Sequence, residues 1–274
     1  MSRREVDTAV EWAAAEGWNP GWGDGACFHA ADPGGFLVGL LDDEPVATIS
    51  VVKYGSAFGF LGLYIVKPAQ RGRGYGFRVW NAGLAHLGGR TIGLDGVVAQ
   101  QANYRRSGFV LAYRNVRYQG SIAVPPAPVD ARIVALSSVA FDALVNYDRE
   151  IFGADRTAFL KCWIAQPACT AIGLLRDAVV RGYAVARPAR VGFKIGPLFA
   201  DDPSVAQALF DALCASVPAG ASLYLDVPEP NGAAVELARR AGMTVVFETA
   251  RMYAGRAPDV PVERVFGVTT FELG

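Results

Sequence analysis

Gln70-Arg71-Gly72-Arg73-Gly74-Tyr75-Gly76 is the stretch on which the fold turns. Leu63-Tyr64-Ile65-Val66 reads as a strand ahead of it, Lys67-Pro68-Ala69 leaves that strand, and a helix is expected from Gly74 to about Leu87. Three glycines at alternate positions allow backbone conformations that aim successive N–H groups at one point. The helix dipole adds partial positive charge there, so a strand-to-helix turn of this composition is an anion cradle. Arg71 and Arg73 add charge-assisted contacts suited to phosphates. The glycine spacing does not fit a dinucleotide fingerprint, and no Gly-Lys-Ser/Thr follows, which excludes a kinase-type P-loop. A solvated Gly/Arg loop and an RGG-like nucleic-acid contact are the competing readings.

Working outward, Val6, Ala9, Val10, Ala13 and Ala14 recur at helical spacing and predict a helix from Val6 to Trp18, closed by Gly17 and Asn19-Pro20-Gly21. Strand-like runs follow at Phe36–Leu41, Pro45–Lys53 and Phe58–Val66, parted by the turns Asp42-Asp43-Glu44 and Tyr54-Gly55-Ser56. Downstream of the glycine loop come a strand Thr91–Val97, a short helix near Ala102–Arg106 and strands around Val110–Tyr118. Val124-Pro125-Pro126-Ala127-Pro128 cannot continue a helix or a central strand, so residues 122–129 read as a linker.

Beyond it the order of elements begins again. Leu94-Asp95, Gly108-Phe109 and Arg117-Tyr118 recur as Leu225-Asp226, Gly242-Met243 and Arg251-Met252-Tyr253. A repeat of domain length implies duplication of one α/β unit, with domains at 1–121 and 130–274. The second copy has Ala200-Asp201-Asp202-Pro203-Ser204 where the cradle belongs, with no glycine and two carboxylates that repel a pyrophosphate.

The chain has 274 residues, 52% hydrophobic and 19% charged, enough apolar surface for packed cores. Basic and acidic residues balance at 26 each, which argues against nucleic acid or an anionic membrane as partner. Cys27, Cys162, Cys169 and Cys214, with His29 and His86, fit no zinc-ligand spacing, so no metal is expected and the cysteines read as buried free thiols. No signal peptide and no membrane-length apolar run is evident, and a cytoplasmic protein is expected.

The loop resembles the signature of the GNAT superfamily of N-acetyltransferases, Q/R-x-x-G-x-G/A, with Arg71, Gly74 and Gly76 at the defining positions. The likeness covers the first half, and the second half looks like a degenerate copy. It implies an α/β fold, two GNAT-like domains in tandem, each a twisted mixed sheet flanked by helices. Acetyl-CoA as co-substrate would lie between two splayed central strands. By the same resemblance Ile65 and Val66 hold the coenzyme's amides, Gln70, Arg71, Gly72, Arg73, Gly74, Tyr75 and Gly76 its pyrophosphate, and Asn103 belongs to the same site. Tyr104, four residues before Gly108-Phe109, matches the tyrosine that protonates the departing thiolate, a task suited to a phenol. In the second copy that position is Ala238.

The implied activity is acetyl transfer to a primary amine of a small molecule or peptide; the alternative is a non-catalytic sensor of acetyl-CoA on the same scaffold. No carboxylate lies in Phe58–Val66, so Asp95 is the first candidate for a general base, with an ordered water as its rival. Trp18, Trp22 and Asp24 are expected to line the acceptor site, with Asp148, Glu150 and Asp155 as candidates from the second domain. A monomeric pseudo-dimer or a weak homodimer is expected, with the apolar tail Arg264–Leu273 forming a strand that pairs at the first domain's edge.

Overall fold

The computed structural model describes residues 1–121 and 130–274; the Pro-rich linker at 122–129 lies outside the described residues. The first half runs α1 (Arg3–Ala15), α2 (Asp24–Ala31), β1 (Phe36–Leu41), β2 (Glu44–Tyr54), β3 (Phe58–Val66), α3 (Tyr75–His86), β4 (Thr91–Val97), α4 (Gln101–Arg106) and β5 (Val110–Ser121). In the second half come β6 (Ile133–Ala135), α5 (Phe141–Phe152), α6 (Thr157–Trp163), β7 (Thr170–Arg176), β8 (Val179–Pro188) and β9 (Phe193–Ala200). They are followed by α7 (Pro203–Ser216), β10 (Ser222–Pro228), α8 (Gly232–Arg240), β11 (Thr244–Ala254) and β12 (Val265–Gly267). The first helix starts three residues earlier than its periodicity predicts, because Ser2 and Glu5 form a capping box ahead of Val6.

Each half builds a mixed sheet, and the two join into one sheet ordered β1-β2-β3-β4-β11-β5-β10-β9-β8-β7-β6. The join is a reciprocal strand exchange. β11, the last long strand of the second half, pairs with β4 of the first, while β5, the last strand of the first half, pairs with β10 of the second. The exchange sets the repeated residues opposite one another. Asp95 faces Arg251 and Asp226 faces Arg117, each aspartate held by the arginine of the other half. A third buried pair, Arg187 with Asp24, also crosses the halves.

Cys27 on α2 and Cys162 on α6 are joined by a disulfide with Cα atoms 5.2 Å apart, which corrects the expectation of free thiols for these two, while Cys214 is free and buried and Cys169 free and half-buried. The two cysteines stand 135 residues apart in sequence, so only the packing of α2 on α6 brings them together. One core cluster lies between α3, α4 and strands β2 to β4, through Ile49, Val51, Leu61, Trp80 and Phe109. Another joins α1 and α2 to Phe159, Trp163 and Leu273 of the second half.

The tail departs from expectation. Only Val265–Gly267 is a strand, and it pairs with β9 instead of β1. Parallel pairing of β9 and β10 ends at Ile195 and Leu225, and the tail fills the gap that opens there. Val268 N donates to Asp226 O at 2.7 Å, and a Cβ on Gly196 would meet the carbonyls of Val268 and Thr269 at 2.5 and 2.6 Å. From there the tail reaches the first half, where Tyr54 Oη donates to Leu273 O at 2.9 Å.

Candidate active site

β3 and β4 pair in parallel from Phe58–Leu61 against Thr91–Leu94 and then part. A Cβ on Gly62 would lie 2.1 Å from Glu272 O, so only glycine lets the tail approach the strand here. Leu63 takes a φ of 43°, a left-handed conformation costly for a branched side chain, and its carbonyl accepts from Thr48 Oγ1 at 2.9 Å. The bulge turns the free edge of Tyr64–Val66 towards a cleft of about 520 Å³ whose opposite wall is Leu94–Val97. Ile65 and Val66 both line it.

At the exit of β3 the loop behaves as its composition predicts in two of its three glycines. Gly72 and Gly74 have φ of 76° and 83°, and a Cβ at either would meet nothing within 4 Å. Gly74 is the N-cap of α3, and among the described residues no side chain caps that helix, which leaves its first N–H groups without a side-chain acceptor. Gly76 serves packing instead: a Cβ there would come within 2.6 Å of Tyr64 Oη. Arg71 is partly committed, donating to Val66 O at 3.0 Å and pairing with Glu16. Gln70 and Tyr75 line the cleft, and Gln70 Oε1 is buried without a partner among the described residues. Arg73 is exposed on the loop.

Tyr104, on α4, lines the same cleft and is 9% exposed. Its ring stacks on Trp80 at 5.6 Å, and Gly96 leaves the room it needs, since a Cβ there would lie 2.2 Å from the ring. Burial and the neighbouring Tyr64 push its phenol up to about 12, against a smaller opposing pull from the Val97 backbone. Its proton is therefore in place throughout the neutral range.

Several expected residues lie elsewhere. Asp95 lines the cleft, but Arg251 donates to both its oxygens at 2.8 and 2.6 Å and Asn115 to one at 2.7 Å. Burial alone would drive the charge off Arg251; the Asp95 carboxylate reverses this and holds the guanidinium well above its ordinary value. Burial pushes the Asp95 carboxyl above its ordinary range against the opposing pull of Arg251 and Asn115, yet both its oxygens are engaged, so the geometry makes it part of the strand join and leaves a substrate proton no free position. Asn103 is exposed and outside the cleft, its amide turned to Gln100 at 2.6 Å. Trp18 does line the cleft, whereas Trp22 is 64% exposed beneath the Arg190 guanidinium. Asp24 is fully buried against Arg187. Asp148 is buried with Arg156, and Glu150 and Asp155 pair with Arg264 and Arg149, all away from the cleft.

Among the cleft-lining residues that sequence reasoning missed are Glu16 and four from the second half: Phe247, Thr249, Phe271 and Glu272. No motif marks these four, because strand exchange and the threading of the tail deliver them. Among the described residues no cluster of His, Cys, Asp or Glu could hold a metal ion, and no helix is long and apolar enough to cross a membrane.

Residues 5–112 match the Acetyltransferase (GNAT) family, and residues 144–267 match a second Acetyltransferase (GNAT) domain. The chain is 33% identical over 275 residues to holothin acyltransferase of Pseudoalteromonas sp. (strain SANK 73390), covering all of this chain and 92% of that protein. An uncharacterised protein of Caenorhabditis elegans is 28% identical over 161 residues, covering 54% of this chain and 51% of that one. Among solved structures, a candidate acetyltransferase from Pyrococcus horikoshii superposes with a TM-score of 0.85 at 25% identity, covering 100% of this chain and 94% of that one. A tandem GNAT protein from the clavulanic acid biosynthesis pathway superposes with a TM-score of 0.62 at 13% identity, covering 94% and 98%, which speaks for the fold alone.

Proposed function

This chain belongs to the GNAT family of acyltransferases, with two GNAT domains in tandem, and from that premise we propose that its first half moves an acetyl group from acetyl-CoA to a primary amine. The observation that carries this reading is a continuous opening from the glycine loop, along the parted edges of β3 and β4, to Tyr104. The uncapped N–H groups of α3 and the left-handed Gly72 and Gly74 suit a pyrophosphate. The free edge of Tyr64–Val66 offers backbone donors and acceptors for the pantetheine amides and the thioester oxygen. As the amine nitrogen bonds to the carbonyl carbon and the C–S bond breaks, Tyr104 supplies the thiolate with its proton. The name of the Pseudoalteromonas relative, holothin acyltransferase, supports acyl transfer as the reaction class.

Acetyl-CoA should raise the melting temperature, and free thiol should appear when an accepted amine is added. Thermal stabilisation without thiol release from any amine would point to the sensor alternative; neither response would remove coenzyme binding altogether.

A further inference from the structure

Upstream of the glycine loop, where β3 passes Gly62, three aromatic side chains from distant parts of the chain converge on the cleft. Trp18 comes from the segment between α1 and α2, Phe247 from β11, and Phe271 from the tail. All three are gathered by Arg117, which is buried at 3% exposure. Its guanidinium sits 5.7 and 4.8 Å from the ring centres of Phe247 and Phe271 and donates to Trp18 O at 2.7 Å. Asp226 fixes it from the second half at 2.6 and 2.8 Å.

Two polar groups stand in this aromatic setting with bonding capacity unspent. Thr249, on β11, is 2% exposed and its hydroxyl has no partner among the described residues. Glu272 is 3% exposed and lines the cleft, and its backbone carbonyl abuts Gly62. Thr270 Oγ1 donates to Glu272 Oε2, while Oε1 takes no hydrogen bond from any described residue. Buried polar atoms are ordinarily satisfied, and a free carboxylate oxygen beside an open cleft calls for a donor.

The charge around these groups narrows what that donor is. An aromatic box ordinarily attracts a cation over its ring faces. Here Arg117, held by Asp226, already stands over Phe247 and Phe271, and the buried Lys194 Nζ lies 3.9 Å from the same Asp226, so two cations already balance Asp226 and Glu272 and a third would be in excess. A neutral planar amine avoids that excess, stacks on the rings and presents its N–H to Glu272.

We propose that this end of the cleft takes a weakly basic aromatic primary amine and that Glu272 is the catalytic base for it, an inference that rests on the acetyltransferase reading above. The amine nitrogen bonds to the thioester carbonyl carbon, and the proton it sheds passes to Glu272. The C–S bond breaks and Tyr104 gives its proton to the thiolate. Exchange with solvent deprotonates Glu272 and reprotonates Tyr104 before the next turnover. The base thus comes from the C-terminal tail of the second half, which explains why β3 carries no carboxylate of its own.

The test is thiol release from acetyl-CoA by the full-length chain with 4-methoxyaniline, propylamine and spermidine as probe amines. The aniline should be favoured by at least about tenfold in kcat/KM, and E272Q should lower its kcat by about 10²–10⁴-fold, the usual range for a general base. E272D should keep part of the rate, and both variants should keep the thermal shift given by acetyl-CoA. Release with propylamine or spermidine but not the aniline overturns this inference alone. So does an E272Q rate within a few-fold of wild type, or loss of the acetyl-CoA shift in both variants, which would make Glu272 a structural residue. An acetyl-CoA shift with no thiol release from any amine overturns this inference and the acetyltransferase reading together.

Discussion

The two halves carry the same helix at the exit of the same strand, and they treat its N-terminus in opposite ways. After β3, α3 begins at Gly74, left-handed and without a side-chain cap. After β9, α7 begins at Asp202, whose carboxylate accepts from Ser204 N and Val205 N. One helix start has no side-chain cap among the described residues, and the other is capped from its own sequence. The openings between the strands differ in the same sense. Between β3 and β4 the cleft is about 520 Å³, whereas between β9 and β10 the chain's own tail lies along the parted edges. On the proposed reading the second copy of the site is filled from within, while the sheet that framed it survives. What the second half retains is architecture, and its tail is passed on to the first half's cleft.

The largest effect expected from this asymmetry is on turnover. Tyr104 has no counterpart in the second half, where Ala238 is buried at the matching place. Tyr104→Phe keeps the ring on Trp80 and removes only the proton, so kcat should fall about 10²–10⁴-fold while the acetyl-CoA thermal shift persists. Because the phenol is held up to about 12, the wild-type rate should show no alkaline decline assignable to Tyr104 between pH 7 and 10. A decline in that interval that vanishes in Tyr104→Phe would contradict this.

Next in size is the strand join. Arg251→Ala leaves the Asp95 carboxylate buried with only Asn115 as partner, and removing one member of a buried pair costs about 3–5 kcal/mol. Denaturant unfolding should report that loss, and Asp95→Asn should cost a comparable amount, because it leaves the buried Arg251 guanidinium without its counter-charge. Were Asp95 the general base, Asp95→Asn would abolish turnover at unchanged stability, which separates the two roles.

Much of this was legible in the sequence, and the unreadable part has one cause. The strands Phe36–Leu41, Phe58–Val66 and Thr91–Val97 fall where alternation and turn residues put them, and the glycine loop stands at the exit of β3. These are local matters of propensity and backbone freedom. The repeat was also visible, through Leu94-Asp95 and Arg117-Tyr118 and their second copies. Its meaning was not, because exchange of β5 and β11 pairs each aspartate with the arginine of the opposite half. The same exchange carries Phe247 and Thr249 into the cleft, and the threaded tail brings Phe271 and Glu272. Asp95 read as chemistry for the same reason: a lone acidic residue on a central strand looks available until its partner 156 positions away is seen.

Gly74→Asp makes the first helix start resemble the second. The new carboxylate would place negative charge at the helix start and repel a pyrophosphate, so the acetyl-CoA thermal shift should disappear. At a hundredfold excess over Kd the lost stabilisation is about 2.7 kcal/mol. The apo protein should lose about 1 kcal/mol, since a side chain at this left-handed position is strained although a Cβ there meets nothing within 4 Å. An undiminished shift would remove the loop from the coenzyme's site.

The smallest effect comes from the converse change. Asp202→Ala uncaps α7, and losing such a cap costs about 1 kcal/mol. Hydrogen bonds from Ser204 and Val205, against the opposing effect of burial, hold the Asp202 carboxyl below its usual range. Its contribution is then fully present above the unfolded carboxyl's pKa and is lost as pH falls through the lowered folded value. The difference between wild type and Asp202→Ala should accordingly be constant at neutral pH and shrink in acid. The exposed helix start should still bind no coenzyme, because β12 and Val268 continue to occupy the strand edges beside it. Isothermal titration of acetyl-CoA should give one site per chain in both proteins. A second site appearing in Asp202→Ala would mean that charge alone silenced the second half and that the tail is no barrier.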